Sequence, residues 1–199
     1  MAVARLSREE MIARLAHVFH AHGYAGASLA AIGAATGLGK GSLYHAFPGG
    51  KRAMAEAVLD ATAARFGDRV FAPLEKDPDP LHAVRAMFDA LRQDMREGAG
   101  TSLYALLALG SDRDLFRARI RGFYRAWRAA LAGCLARGGV REAHARQLAG
   151  ETLAAVEGGI VLARGLDDMA AVADLFARQE ARLSAILAAR RPPPPQRTG

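Results

Sequence analysis

The chain holds a single cysteine, Cys134. No disulfide can close within it, and no cysteine-built zinc site can be assembled. The lone thiol reads as a small core residue rather than a nucleophile. Long apolar runs are missing as well. No stretch of about 18 uninterrupted apolar residues occurs, so no transmembrane helix is expected. The N-terminus lacks the apolar segment of a secretory signal. These absences predict a cytoplasmic protein. Strand patterns are a third absence: alternation is nowhere sustained, β-branched residues are few, and no repeat of 20–50 residues is visible. Catalytic constellations are a fourth. There is no Cys–His or Ser–His–Asp set with a local signature and no paired carboxylates. Gly37-Leu38-Gly39-Lys40-Gly41-Ser42 echoes the end of a phosphate loop, but the upstream glycine spacing and the preceding strand are missing. His17, His20 and His22 lie close in sequence without a further ligand set. No enzyme, no cofactor and no metal site is expected.

What the chain does hold is helix signal and positive charge. Half of its 199 residues are hydrophobic and its formal net charge is +7. The excess is concentrated: residues 1–65 carry seven Lys or Arg against four acids, residues 66–189 are nearly balanced, and the tail adds Arg190, Arg191 and Arg197. A basic head favours a polyanionic partner. Ser7 and Glu10 form a capping box before Met11, Leu15, Val18 and Phe19, whose spacing predicts a first amphipathic helix ending at Gly23. Ser28 caps a second, alanine-rich helix over 29–36. A glycine turn, Gly37 to Gly39, leads to a short third helix over 40–46. That helix cannot persist alone and needs Leu43 and Phe47 against Ile32 and Phe19. A short helix, a glycine turn and a second short helix are the pattern of a helix-turn-helix. Lys51 begins a fourth helix that runs to about residue 70. Prolines 73, 78 and 80 predict a loop before a helix over 81–97. Gly98-Ala99-Gly100 separates a helix over 102–109, and longer helices follow over 113–137, 141–165 and 169–190. Pro192 to Pro195 stop the last one. The expected fold is all-α, with about nine helices: a three-helix DNA-binding head over 1–50, a larger helical body over 51–190, and a disordered tail over 191–199.

A recognition helix reads base edges with a few side chains near its start. Lys40 can reach a guanine edge or a phosphate, and Ser42 can serve either. Gly41 lets the backbone approach closely. Tyr44 and His45 can hydrogen-bond phosphates, and the Tyr44 ring can meet a thymine methyl. Ser28 and Thr36 offer hydroxyls to phosphates. Free N–H groups at Gly50 and Lys51, at the start of helix four, suit an anion. Plainer roles stand beside these: Tyr44 as a packing ring, His45 and Lys51 as solvated groups, and Ser28 as a cap only. In the body, Leu153 to Ala163 is apolar almost all round, so one side can face its own core and the other a second subunit. Val156, Gly159, Ile160 and Ala163 on this helix are candidate dimer contacts. Leu175, Gln179, Arg182, Leu183 and Ile186 on the last helix complete the set.

Residues 7–52 resemble the N-terminal domain of the TetR family of transcriptional regulators. The resemblance rests on the spaced first helix, Gly23 with Ser28, the alanine-rich second helix, Gly37-Leu38, and Gly41 to Phe47 followed by Lys51. Phe47-Pro48-Gly49-Gly50-Lys51 and Ala155 to Arg164 resemble the subgroup of LmrA- and YxaF-like repressors. Two departures stand out. Ala46 sits where many members carry a large polar residue, and Gly100-Thr101-Ser102 replaces a proline-containing start of helix six. The resemblance implies that Lys40, Gly41, Ser42, Tyr44, His45 and Lys51 lie on double-stranded DNA. It implies a homodimer through the last two helices, giving a two-fold operator. It also implies a small effector bound between helices four and eight. Candidate lining residues are Phe66, Met87, Leu91, Met95, Tyr104, Leu107, Phe123, Trp127 and Glu157. Few are polar, so an apolar or aromatic effector is expected. Glu157 can orient a cationic group or pair with an arginine. The implied mechanism is repression relieved by ligand. The alternatives are an activator, or a helical ligand-binding protein that has lost DNA binding.

Overall fold

The computed structural model describes residues 6–96 and 103–190. The expected glycine break at 98–100, Gly100-Thr101-Ser102 and the proline-stopped tail over 191–199 lie outside the described residues. Among the described residues every regular element is a helix. We number them α1 (Arg8–Gly26), α2 (Leu29–Thr36), α3 (Lys40–Ala46), α4 (Gly50–Phe66, continuing through Gly67–Phe71 and Ala72–Lys76), α5 (Pro80–Arg96), α6 (Leu103–Leu109), α7 (Arg113–Arg137), α8 (Glu142–Leu166) and α9 (Ala170–Ala188).

Continuity of α4 through Pro73 departs from the loop expected there. A proline has no N–H for the helical ladder. Here it sits at the start of the Ala72–Lys76 segment, directly after a π-helical turn over Gly67–Phe71. The wider turn absorbs the interruption that would otherwise end the helix.

The chain groups into two compact units. The first combines Met1–Phe66 with Glu97–Phe123, and the second combines Gly67–Arg96 with Tyr124–Gly199. The three N-terminal helices thus cluster with the first part of α4, α6 and the start of α7.

In the first unit α1 is the central strut, in contact with α2, α4 and α6. Its capping box forms as the sequence predicts: Ser7 Oγ accepts from the Glu10 N–H and the Glu10 carboxylate accepts from the Ser7 N–H. Leu15, Val18 and Phe19 are buried, and Ile32, Leu43, Phe47, Met54, Val58 and Leu59 close over them. Each such side chain contributes about 1.5–3 kcal/mol by leaving water. This burial is what holds the seven-residue α3 in helical form. Tyr24, in the last part of α1 just past its kink at Gly23, stacks on Phe19 at 6.2 Å and meets Phe116 of α7 edge-to-face at 5.1 Å.

In the second unit α9 packs on both α5 and α8. Phe88 of α5 and Phe176 of α9 are buried with ring centroids 6.2 Å apart. Arg92 of α5 bridges Asp89 and Glu180, tying α5 to α9. Cys134 is buried, and burial pushes its thiol up to about 11. A thiol so rarely ionised is a packing group, in keeping with its sequence reading.

Asp77 and Asp79 fasten the entry to α5. Asp79 accepts from the Leu81 N–H at 3.0 Å, and Asp77 accepts from the Asp79 N–H at 2.8 Å. Asp77 also lies 2.5 Å from His82 Nδ1. Its hydrogen bond to His82 holds the Asp77 carboxyl below its ordinary 3.8. The same bond raises the His82 imidazole above its ordinary 6.5. The raised His82 contributes stability that is complete below pH 6.5 and lost as pH rises through its folded value. The lowered Asp77 contributes stability that is complete above pH 3.8 and lost as pH falls through its folded value. The clasp is therefore tightest between these limits. Thermal melts of the wild type from pH 5.5 to 8.5 should show a small decline on the alkaline side that His82→Gln removes. An identical pH dependence in the variant would assign the decline to other groups.

Candidate nucleic-acid interface

Gly37 ends α2 in the left-handed region, at φ 71° and ψ 14°, where a β-carbon would be strained. That reversal, with Gly39 as the N-cap of α3, aims the third helix outward. At 100° per residue, one side of α3 holds Leu43 and Phe47, which are buried. The rest of its surface carries Lys40, Gly41, Ser42, Tyr44 and His45, all exposed. Tyr44 is a large ring left 40% exposed, on the same face as a lysine and a histidine. Ala46, where a polar contact is missing from the sequence, is half-buried at the edge of this face, beside Ser42.

Four further residues expected at this face have partners within the chain or keep a free proton, as follows. Thr36 is buried, and its hydroxyl donates to the Ile32 carbonyl at 2.7 Å, so it holds the α2 end together and is not offered to a phosphate. Ser28 Oγ caps α2 by accepting from the Ala31 N–H at 3.1 Å. It stays exposed, and its own proton remains available to an acceptor. The Gly50 N–H is not free, because it donates to the Phe47 carbonyl at 2.8 Å. Gly50 takes φ +64°, which side-chain-bearing residues rarely adopt, and the Tyr44 ring lies in van der Waals range of this corner, 3.4 Å from where a β-carbon would stand. Lys51 donates from its ammonium to the carbonyls of Tyr24 at 2.9 Å and Ala25 at 3.3 Å, and stands 4.5 Å from the Tyr24 ring centroid. These carbonyls belong to the C-terminal end of α1, past its kink at Gly23, where a cation is favoured. Lys51 thus pins the α1 end to the start of α4.

Lys51→Met should lower the stability of the head by about 1–2 kcal/mol, through loss of charge-assisted hydrogen bonds and a cation–π contact. It should leave the salt dependence of DNA binding nearly unchanged. Melting temperature and a salt titration read the two effects apart. A normal melt with a reduced salt slope would return Lys51 to the phosphate role.

The residues expected to line an effector site are placed as follows. In the first unit Tyr104 stacks on Phe123 at 3.9 Å and 4°, and Phe66 meets Phe123 edge-on at 5.0 Å. The Tyr104 hydroxyl donates to the Leu59 carbonyl at 3.0 Å, and burial pushes it up to about 12. Leu107 is buried in the same unit. The three rings are thus packed on one another. In the second unit Met87, Leu91 and Trp127 are buried and Met95 is half-buried. Glu157 accepts from the Tyr124 hydroxyl at 3.0 Å. The sequence offers no signal for that pairing, since the two residues lie on different helices.

The residues expected at a dimer contact are placed as follows. Val156, Gly159, Ile160, Ala163 and Leu183 are buried within one chain, and Gln179 and Ile186 are half-buried. A β-carbon on Gly159 would come within 2.2 Å of the half-buried Leu175, so this glycine sets the close approach of α8 to α9. Arg182 is exposed and pairs with Glu151 at 2.7 Å, also between α8 and α9. The face of α8 left uncovered carries Ala154, Gly158, Val161 and Gly165, with Leu162 and Leu166 beside them at 65% and 70% exposure.

A buried scaffold that turns one short helix outward, with its basic and hydroxyl-bearing residues exposed, defines a helix-turn-helix DNA-binding protein. The family model for bacterial regulatory proteins of the TetR family matches residues 12–58. The model for the C-terminal domain of LmrA/YxaF-like transcriptional regulators matches residues 80–178. The chain belongs to the TetR family of transcriptional regulators. Two relatives from Bacillus subtilis (strain 168) agree. The uncharacterised HTH-type regulator YxaF is 26% identical over 160 residues, covering 78% of this chain and 84% of that protein. The HTH-type regulator LmrA is 28% identical over 162 residues, covering 78% and 85%. A TetR regulator from Chloroflexus aurantiacus superposes with a TM-score of 0.70 at 26% identity, covering 91% of this chain and 93% of that one. One from Legionella pneumophila reaches 0.76 at 20% identity, covering 92% and 99%, and shares the fold. The protein is a regulator and not an enzyme. Among the described residues no helix is long and apolar enough to cross a membrane.

Proposed function

We propose that this protein is a homodimeric repressor that leaves a two-fold DNA site when a small apolar or aromatic effector binds its helical body. The outward face of α3 carries the DNA half of this reading: Lys40, Gly41, Ser42, Tyr44 and His45 are exposed while Leu43 and Phe47 anchor the helix from behind. Such a helix fits the major groove, where Lys40 reads a guanine edge or a phosphate and Tyr44 and His45 fix register on the backbone. Ser28 adds a hydroxyl at the α2 start.

The dimer rests on α8 and α9. On α8, residues 147, 151, 154, 158, 161 and 165 recur at alternating steps of four and three on the exposed face, and four of the six are Ala, Gly or Val. This spacing is that of a seam between packed helices. Small residues permit a close crossing by the same seam of a second copy, and a two-fold pair of heads then demands a two-fold site. For the effector, the support is compositional: the candidate residues of the body are apolar apart from Tyr104 and Glu157. A ligand acts only through its different affinity for the DNA-competent and released states.

The test is selection of duplexes by the full-length protein from a random-sequence pool. A palindromic consensus whose binding weakens steeply with salt is the expected result. Failure to retain any duplex would favour a helical ligand-binding protein that has lost DNA binding. Activation of a reporter placed beside the selected site would replace repressor by activator.

A further inference from the structure

The face of α3 has two flanks, and they are furnished differently. A helix in the major groove lies between two phosphate backbones. On one flank stand Lys40 and Tyr44, with the Tyr44 ring against the Gly50 corner. On the other flank stand Ser42 and Ala46, and α3 itself brings no cation to that side. An open cleft of about 820 Å³ runs along this second flank. Its inner wall is Gly41, Ser42 and His45 of α3, and its outer wall is Met11 and Arg14 of α1.

From this geometry we infer that Arg14 is the phosphate contact for the backbone on the Ser42 flank. The inference rests on the DNA-binding reading above and adds to it a residue from a helix that carries none of the expected contacts. Arg14 is exposed. Its guanidinium has five N–H donors, and one of them makes a long bond of 3.4 Å to the Ala35 carbonyl. That bond holds the side chain alongside the α2 end, where it lines the cleft with four N–H donors beyond the one on Ala35. The acid nearest in sequence, Glu10, lies one turn away: its carboxylate accepts from the Ser7 N–H and feels the Arg14 charge only as the weakest of the influences on it. A planar guanidinium with several donors matches phosphate oxygens in two-point fashion, which a lysine does with a single charge. Arg14 therefore fixes how deeply α3 enters the groove, and through that the register of Ser42 and His45. It carries no base preference of its own.

The experiment compares wild type, Arg14→Gln and Arg14→Lys on a duplex retained by the wild-type protein from a random pool, and on an unrelated duplex of equal length. Apparent affinity is measured at several salt concentrations. Arg14→Gln should weaken binding to both duplexes and reduce the slope of log affinity against log salt by about 1 for each head bound. Arg14→Lys should keep most of that slope while losing part of the affinity. Replacing single phosphates by neutral methylphosphonates should reveal a position on the Ser42 flank that weakens wild type and leaves Arg14→Gln indifferent. An unchanged slope in Arg14→Gln overturns the assignment, whether or not affinity falls. A fall in affinity at constant slope identifies Arg14 as a packing residue between α1 and α2, which a lowered melting temperature would also show. If wild type itself shows no salt-dependent binding to any duplex, the DNA-binding reading fails and the role of Arg14 falls with it.

Discussion

Replacing Lys40 and Tyr44 together by alanine is expected to reduce affinity for the selected duplex at least about 100-fold. Contacts of this kind contribute about 1–3 kcal/mol each, and 1.4 kcal/mol is tenfold in affinity. Two contacts per head, discounted for non-additivity, already reach that figure, and a two-headed protein loses them twice. The fold should survive. Lys40 is exposed and Tyr44 is 40% exposed, while the residues that anchor α3, Leu43 and Phe47, are untouched. The change removes the Tyr44 ring from the Gly50 corner, so a melt should fall by a few degrees at most. Titration of a labelled duplex at fixed salt measures the loss. Affinity within threefold of wild type would show that this face does not read DNA.

Gly158→Trp is expected to convert the protein to a monomer and to cut affinity for a palindromic duplex by two orders of magnitude or more. Nothing lies within 4 Å of a β-carbon built on Gly158, and the residue is exposed, so in a single chain the side chain leaves the helix toward solvent. A seam of small residues crossed closely by its own copy does not accept it. Loss of the second head removes the effective concentration that joins two weak contacts into one strong one. The neighbouring residue supplies the contrast. Gly159→Val should destabilise the chain by about 1–3 kcal/mol through overpacking against Leu175. Light scattering at micromolar concentration with a parallel thermal melt separates the two: a dimeric Gly158→Trp of normal stability would place the interface elsewhere.

These two glycines show where reading from the sequence stops. The apolar run from Leu153 to Ala163 announces a helix buried on more than one side, and the helix is there. Which side meets α9 of the same chain depends on rotation about the helix axis. One residue of offset turns the face by 100°. Gly158 and Gly159 are identical in the sequence, and only the position of Leu175 distinguishes the glycine that faces inward from its exposed neighbour.

The same division holds in the head. The capping box at Ser7, the caps at Ser28 and Gly37, and the apolar spacing that buries Leu15, Phe19, Ile32 and Leu43 are local matters, settled within a few residues of chain. They are legible because helix periodicity and end-capping are short-range physics. The outward residues of α3 follow from the same periodicity. Thr36, Lys51 and Arg14 were not legible in this way. Thr36 has a carbonyl to bond one turn back within its own helix, which the residue type does not announce. Lys51 and Arg14 meet partners 27 and 21 residues away, across helices. The chain by itself determined an all-helical protein with a helix-turn-helix and the face that helix presents. Tertiary packing decided which cations are committed to carbonyls of the scaffold and which stay exposed, because a long side chain is satisfied by whatever carbonyl folding brings within its reach.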